Sequence, residues 1–378
     1  MRVLYVDQFG KKSGCYSIPQ AEYIYLNESI DIRHFVSDNI DFDTSKYHVN
    51  IIKGFHGAYE GNALNKAKNY LIGLLELEKY VRSNDIDILH LQWFSLPWIE
   101  WIFVKRIKRI CKVVITVHDV IPFDRRPLEM QSLDLIYKNA DYLLFHTEYA
   151  RSTYESNYSA RTKSAIITQG FCQKIDYKIV EKKRARLHLG IPNEKIVFLY
   201  YGTIRQSKGL DVLIKAFKKA FELNPNIFFL AGGSFQKVDE REYRELVDSS
   251  LNTCNSLVKF EFIPTEEEPF FFCAADVICL PYREITQSGV AQNALVYELP
   301  IVATDIGEMK DVVRDGFNGE LFDVDDQDKL STIIGKMANN PDLIEKYSDG
   351  SKYLSENVFS LKNKCKIVAD VYRELCTH

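Results

Sequence analysis

Short runs of Val, Ile, Leu, Phe and Tyr recur along the whole chain, and longer amphipathic stretches separate them. The runs predict strands over Val3–Val6, Ile51–Ile52, Ile88–Leu91, Val113–Val117, Tyr142–Phe145 and Ala165–Thr168. A second series covers Ile196–Tyr201, Ile227–Ala231, Val258–Ile263, Val277–Leu280, Ile301–Thr304 and Gly319–Phe322. Most lack strict polar alternation, as strands do when helices cover both faces of a parallel sheet. Stretches such as Leu210–Leu223 carry apolar residues at helical spacing between them. Strand–helix alternation repeated in two series predicts an α/β protein of two Rossmann-like, doubly wound domains facing across a cleft. The boundary is expected in the charged segment 176–192, which gives one domain over 1–180 and a second over 181–360. Residues 361–378 are expected to form a helix that packs on either domain or across both.

The composition narrows the classes. A net charge of −4 excludes a nucleic-acid binder driven by global charge. No apolar run reaches the roughly 18–20 residues of a membrane span. The start, MRVLYVD, lacks the apolar core of a secretion signal, so a cytoplasmic location is expected. Eight cysteines form no CxxC pair, which disfavours a zinc ribbon and suits reduced, buried thiols.

Open parallel sheets bind ligands beyond the carboxyl ends of their strands, so the residues there are the candidates. After the first strand, Gly10 and Gly14 suit a tight turn that opens a helix. No G-x-G-x-x-G is present, which removes the main support for a nicotinamide or flavin cofactor. His118 and Asp119 follow Val113–Val117 and would point into a cleft. The loop from Gly202 to Gly209 holds Arg205 and Lys208 between glycines, a pairing of cations and close backbone approach that suits a diphosphate. Ser288 is a good N-cap, and Gly289 and Val290 would present free amides at a helix N-terminus, a second anion device. Asp85-Ile86-Asp87 resembles a metal-binding DxD but precedes its strand, the wrong end for a ligand, and no metal is expected. Trp93, Trp98 and Trp101 run into a basic cluster ending at Lys112. On one helix, Ile99, Ile102, Phe103, Ile107 and Ile110 would share an apolar side, opposite Lys105, Lys108, Arg109 and Lys112. Such a helix over Trp98–Lys112 suits an anionic membrane surface; no nucleic-acid module accompanies it.

The stretches LYYGTIRQSKGLDVLIKAF, IFFLAGG, FCAADVICLPYRE and ITQSGVAQNALVYELPIVATDIGEMKDVV, with HDVIPFD and ADYLLFHTEYAR in the first half, resemble the family 4 retaining glycosyltransferases of GT-B fold. The T-Q-S-G-V form looks like one subgroup of that family. The resemblance is strongest over about residues 196–325 and weakest over 1–110. It implies transfer of a hexose-type sugar from a nucleotide diphosphate donor, UDP favoured, to a carbohydrate or lipid-linked acceptor, with retention and without a metal or other cofactor. Bacterial surface polysaccharide synthesis is the setting it suggests. By the same resemblance Arg205 and Lys208 would hold the diphosphate, with His118 as the third catalytic residue. Thr203, Ser288, Gly289, Val290 and Gly14 would contact the donor, and Gly232 and Ile263 would lie near its base. Asp119 and Trp93 would face the acceptor.

The chain departs from that pattern. Family members carry E-x7-E after the PYR-like strand end, and the second glutamate, which holds ribose, falls here on Asn293. The first falls on Ile285, leaving Glu284, Thr286 and Gln287 as replacement contacts. These departures leave open a non-catalytic GT-B partner or glycan-binding subunit.

Overall fold

The computed structural model describes residues 1–10, 14–40, 43–122, 126–168, 179–285, 288–307 and 309–377. The chain divides into two units, Met1–Ile175 with Phe359–His378, and Asp176–Val358.

The first unit holds seven strands: β1 (Arg2–Asp7), β2 (Asp31–Ser37), β3 (Asn50–Gly54), β4 (Ile88–Leu91), β5 (Lys112–Val117), β6 (Tyr142–Phe145) and β7 (Ser164–Ile166). They form one parallel sheet in the order β3-β2-β1-β4-β5-β6-β7. Its helices are α1 (Gly14–Asn27), α2 (Ala63–Ser83), α3 (Pro97–Ile107), α4 (Glu129–Lys138) and α5 (Glu148–Asn157). The second unit carries α6 (Lys182–Leu189), β8 (Ile196–Tyr201), α7 (Leu210–Leu223), β9 (Ile227–Gly232), α8 (Glu240–Ser250), β10 (Ser256–Lys259) and α9 (Glu268–Ala274). It continues with β11 (Val277–Leu280), α10 (Gly289–Val296), β12 (Ile301–Thr304), α11 (Met309–Val312), β13 (Gly319–Phe322), α12 (Gln327–Ala338) and α13 (Pro341–Asn357). Its parallel sheet runs β10-β9-β8-β11-β12-β13.

Side chains alternate across a strand. Leu4 and Val6 therefore face one core, with Leu77, Phe103 and Ile136. Val3 and Tyr5 face another, with Ala21 and Ile24 of α1. Both faces are sealed, which explains apolar runs without polar alternation. The helix left open by the sequence, α14 (Leu361–Cys376), adds Cys365, Val368, Ala369 and Tyr372 to that second core of the first unit.

Three expectations need correction. β2 was not expected, because Asp31, Arg33 and His34 interrupt its apolar pattern; His34 is fully buried and stacks on Tyr5 with centroids 5.5 Å apart. The strand expected over Val258–Ile263 is β10, shifted to Ser256–Lys259, with Phe262 exposed beyond it. The helix expected through Lys112 stops at Ile107, and Lys112 opens β5. Lys108 instead turns to the Ala140 carbonyl at 3.1 Å and Asp141 at 3.7 Å. Ile102 lies with Trp98 on the exposed face of α3, not on the apolar side that packs through Phe103, Val104 and Ile107. No helix among the described residues is long and apolar enough to cross a membrane.

Candidate functional site

In the second unit, successive strands step one way from β8 to β10, and β11 then pairs on the other side of β8. Loops that leave β8 and β11 at such a reversal diverge and open a crevice. Gly202–Gly209 leaves β8, and Pro281–Ser288 leaves β11. The two loops touch at backbone distance: a Cβ on Gly209, where φ is +65°, would lie 1.8 Å from the Pro281 carbonyl oxygen. Only glycine satisfies both the left-handed backbone and that approach.

Arg283 binds the loops together. Its guanidinium donates to the Gln206 carbonyl at 2.7 Å, to both Asp211 oxygens at 2.9 and 2.8 Å, and to Asp325 at 2.6 Å. Its backbone N–H donates to the Ser207 carbonyl at 2.8 Å. This cation is committed to structure, and the Asp211 carboxylate holds its pKa above the usual range. Arg205 and Lys208 have no carboxylate partner among the described residues. Arg205 is exposed. Lys208 is half-buried, with its ammonium 3.7 Å from the centroid of the Tyr282 ring. Burial, and then the charge of Arg205, push Lys208 down to about 8. The ring face offsets part of the lost hydration.

Tyr282 links that cation to the second anion device. Its ring is buried, and its hydroxyl is hydrogen-bonded with the Ser288 side chain. Ser288 is the N-cap of α10 and accepts from the Ala291 amide at 3.2 Å. Gly289 is exposed in that first turn, and a methyl of Val290 lies 3.4 Å from where a Gly202 Cβ would stand. The structure thus joins Lys208, Tyr282 and Ser288 in one contiguous group, with Arg205 in the same loop. Sequence reasoning listed the PYR stretch without giving Tyr282 and Arg283 these roles; their partners are set by strand order, which local spacing does not show.

Thr203 is half-buried, and its carbonyl accepts from the Tyr200 hydroxyl at 3.2 Å. Gly232 ends β9, and its Cβ position is 3.0 Å from Ile263 and 2.7 Å from the Phe271 ring, so those two predicted residues meet. Glu284 is exposed. Thr286 and Gln287 lie outside the described residues. Asn293 donates to the Glu268 carboxylate at 3.2 Å, and Glu268 also accepts from the Tyr201 hydroxyl at 3.3 Å. Glu268 was missed because it ends a run of three acids, a pattern that reads as a solvated surface.

In the first unit the strand order reverses between β1 and β4. Gln8, just past β1, donates from its carboxamide to the Trp93 carbonyl beyond β4. The Trp93 indole stacks on His118 with centroids 3.8 Å apart and planes 11° from parallel. His118 Nε2 lies 3.0 Å from the Gln92 carboxamide oxygen, and Nδ1 lies 3.1 Å from His146 Nε2. An amide oxygen only accepts, so Nε2 carries the proton. Gln92 also donates to His90 at 3.0 Å, and His90 Nδ1 meets the Tyr372 hydroxyl of α14 at 2.5 Å. Burial is the main cause that holds all three imidazoles well below the usual histidine range, so they are neutral near pH 7. His118 therefore presents a fixed, stacked ring whose two nitrogens already have protein partners. Trp93, His118 and exposed Asp119 line a cavity of about 220 Å³, with Phe9, Pro97 and Tyr137. Gly14 opens α1, after residues 11–13, which lie outside the described set. Asp87 accepts from the Arg2 amide at 2.7 Å ahead of β4, at the entry edge of the sheet. No group of three or more His, Cys, Asp or Glu among the described residues is arranged to hold a metal ion.

Comparison with known proteins places the chain among relatives. Residues 181–353 match the family model of glycosyl transferases group 1, and residues 43–171 match that of glycosyltransferase family 4. The chain is 26% identical over 265 residues to a D-inositol 3-phosphate glycosyltransferase of Corynebacterium urealyticum, covering 68% of this chain and 61% of that one. It is 28% identical over 144 residues to an uncharacterized 41.2 kDa protein in the cps region of Klebsiella pneumoniae, covering 38% and 37%. The chain thus spans about three fifths or less of these curated relatives. Among solved structures, sucrose-phosphate synthase of Thermosynechococcus elongatus superposes with a TM-score of 0.76 at 17% identity, covering 100% and 99% of the two chains. HepE of Anabaena in complex with UDP gives 0.76 at 14%, covering 99% and 100%. WaaG, a glycosyltransferase involved in lipopolysaccharide biosynthesis, gives 0.65 at 13%, covering 98% and 99%. At these identities the likeness is one of fold.

Proposed function

This chain belongs to the group 1, family 4 glycosyltransferases of GT-B fold, and we propose that it transfers a hexose-type sugar from a nucleotide diphosphate donor to a carbohydrate or lipid-linked acceptor with retention of configuration. The observation that carries this reading is the Lys208–Tyr282–Ser288 group: a desolvated ammonium fixed over a buried ring, tied to the N-cap of α10, with Arg205 beside it. A diphosphate fits there because it accepts from the ammonium, the guanidinium and the first-turn amides of α10 together. UDP is the favoured nucleotide, supported by the UDP complex of HepE.

As the bond between the sugar C1 and the diphosphate oxygen breaks, negative charge grows on the departing group. Lys208 and Arg205 stabilise that charge where a metal would otherwise act. The acceptor oxygen bonds to C1 from the same face, and its proton passes to the departing phosphate oxygen. The cavity beside Trp93, His118 and Asp119 is assigned to the acceptor side, with His118 as a stacked, neutral platform. The enzyme then needs no cofactor and works at the cytoplasmic side of surface polysaccharide assembly.

Lys208→Ala should lower donor hydrolysis and transfer by about 100-fold or more, with unchanged melting and unchanged response to chelators. Undiminished turnover in that variant would remove the diphosphate assignment, as would full dependence of the native enzyme on a divalent ion.

A membrane surface is proposed for α3, on a separate observation. Trp98 is 51% and Ile102 46% exposed, on one face of α3 with Lys105 and Arg106. Aromatic, aliphatic and cationic groups together suit an anionic bilayer, at roughly 1 kcal/mol per cation near the surface. Native protein should sediment with phosphatidylglycerol vesicles and not with phosphatidylcholine vesicles, and Trp98→Ala with Lys105→Glu should abolish the difference. Equal sedimentation of the double variant would reject this surface.

A further inference from the structure

Glu268 stands at the meeting of three elements. It is the first residue of α9, and its oxygens accept from Tyr201 at the carboxyl end of β8 and from Asn293 in the second turn of α10. Both donors are neutral, both bonds are long, and no cation pairs with the carboxylate among the described residues. A carboxylate offers about four lone-pair positions, so roughly half of its accepting capacity is left. The group is half-buried. A carboxylate held by weak neutral contacts gains most from further hydroxyl donors, because hydrogen bonds to an ionised acceptor are about twice as strong as neutral ones.

Its neighbours give the position a direction. Asn293 is one turn along α10 from Gly289 and Val290, on the same face. Tyr201 directly precedes the loop that carries Arg205 and Lys208. Phe271, one turn along α9 from Glu268, is fully buried, and it and Ile263 both lie against Gly232 at the end of β9. From the cation loop, Tyr201 leads to Glu268 with Asn293 and, by a ring contact at 5.9 Å between centroids, to the buried Phe271 beside Gly232. A nucleoside diphosphate has that same order: phosphates, a sugar with two adjacent hydroxyls, and a flat base.

We infer that Glu268 is the ribose-recognising residue of this chain, accepting from the vicinal 2′- and 3′-hydroxyls of the donor nucleotide, with Asn293 as the positioning residue that holds its carboxylate. The inference rests on the nucleotide-donor reading above, and it adds that discrimination between ribose and deoxyribose resides on α9. Position 293, being an uncharged amide, supports this recognition indirectly.

The test uses the full chain and calorimetric titration with the ribo- and 2′-deoxy forms of UDP, GDP and ADP, and with inorganic pyrophosphate. The native protein should bind one ribonucleotide about 10- to 100-fold more tightly than its 2′-deoxy form, the range expected for hydroxyl bonds to a charged acceptor. Glu268→Gln keeps the side-chain shape and should abolish most of that preference, with little change for the deoxynucleotide or pyrophosphate. Asn293→Ala should reduce the preference in part, and Glu268→Asp should retain some of it. Preference intact in Glu268→Gln, or equal loss for ribo and deoxy forms, overturns the role of Glu268 and leaves the donor reading standing. A native protein that binds none of the nucleotides overturns both. A matching melting temperature for Glu268→Gln separates lost recognition from lost structure.

Discussion

Lys208 is held near pKa 8 by burial and by Arg205, well below the ordinary lysine value. A bound diphosphate favours the charged form, so binding should raise that pKa and take up a proton above pH 8. The sign follows: affinity for a nucleotide diphosphate falls as pH rises through about 8, where the free ammonium is lost. Titrations at pH 8.5 in buffers of different ionisation enthalpy should show proton uptake by the native protein and much less by Lys208→Ala. Absence of uptake would show that no anion meets this ammonium. Arg205, Lys208 and Ser288 were legible because each follows an apolar strand with glycine or a capping residue beside it. Tyr282 and Glu268 were not, since Lys208, which meets Tyr282, and Tyr201 and Asn293, which meet Glu268, lie tens of residues away in the sequence.

At the scale of elements, α3 shows how a helix start can carry a pH response. Glu100 is buried in its first turn, where it accepts from the Tyr70 hydroxyl at 2.5 Å and the Leu96 amide at 2.7 Å. Both donors favour the charged form, but burial outweighs them and raises the carboxyl to about 7. Between about pH 4.5 and 7 the folded chain therefore binds more protons at this site than the unfolded chain. Stability falls as pH rises through that window, by up to about 3 kcal/mol. Urea unfolding from pH 5 to 8 should show a shallower decline in Glu100→Gln than in native protein; parallel slopes would exclude Glu100 as the source. The strands of both sheets were legible from their apolar runs, and only β2, broken by Arg33 and His34, was hidden. The end of α3 was hidden too, because Lys108–Lys112 continues a helical spacing while its backbone already turns into β5.

The whole molecule divides into two units, each built on its own parallel sheet. Residues 176–358 contain every strand of the second sheet and the helices that cover it. Expressed alone, this segment should melt cooperatively and bind the same nucleotide within about tenfold of the full chain, measured by calorimetry; a molten or non-binding segment would reject its independence. The two-domain α/β plan was legible from the double series of strands. The destination of α14 was not, since an amphipathic pattern announces a buried face without naming what buries it.

That destination has a consequence for synthesis on the ribosome. Tyr372 and Val368 close the face of the first sheet built by Val3, Tyr5 and Val114, and Tyr372 meets His90. The nascent sheet must wait, one flank bare, while the intervening 183 residues of the second unit emerge and settle. Maturation thus runs against the direction of translation, and a premature stop near Val358 would release a chain whose later half is finished and whose earlier half is not.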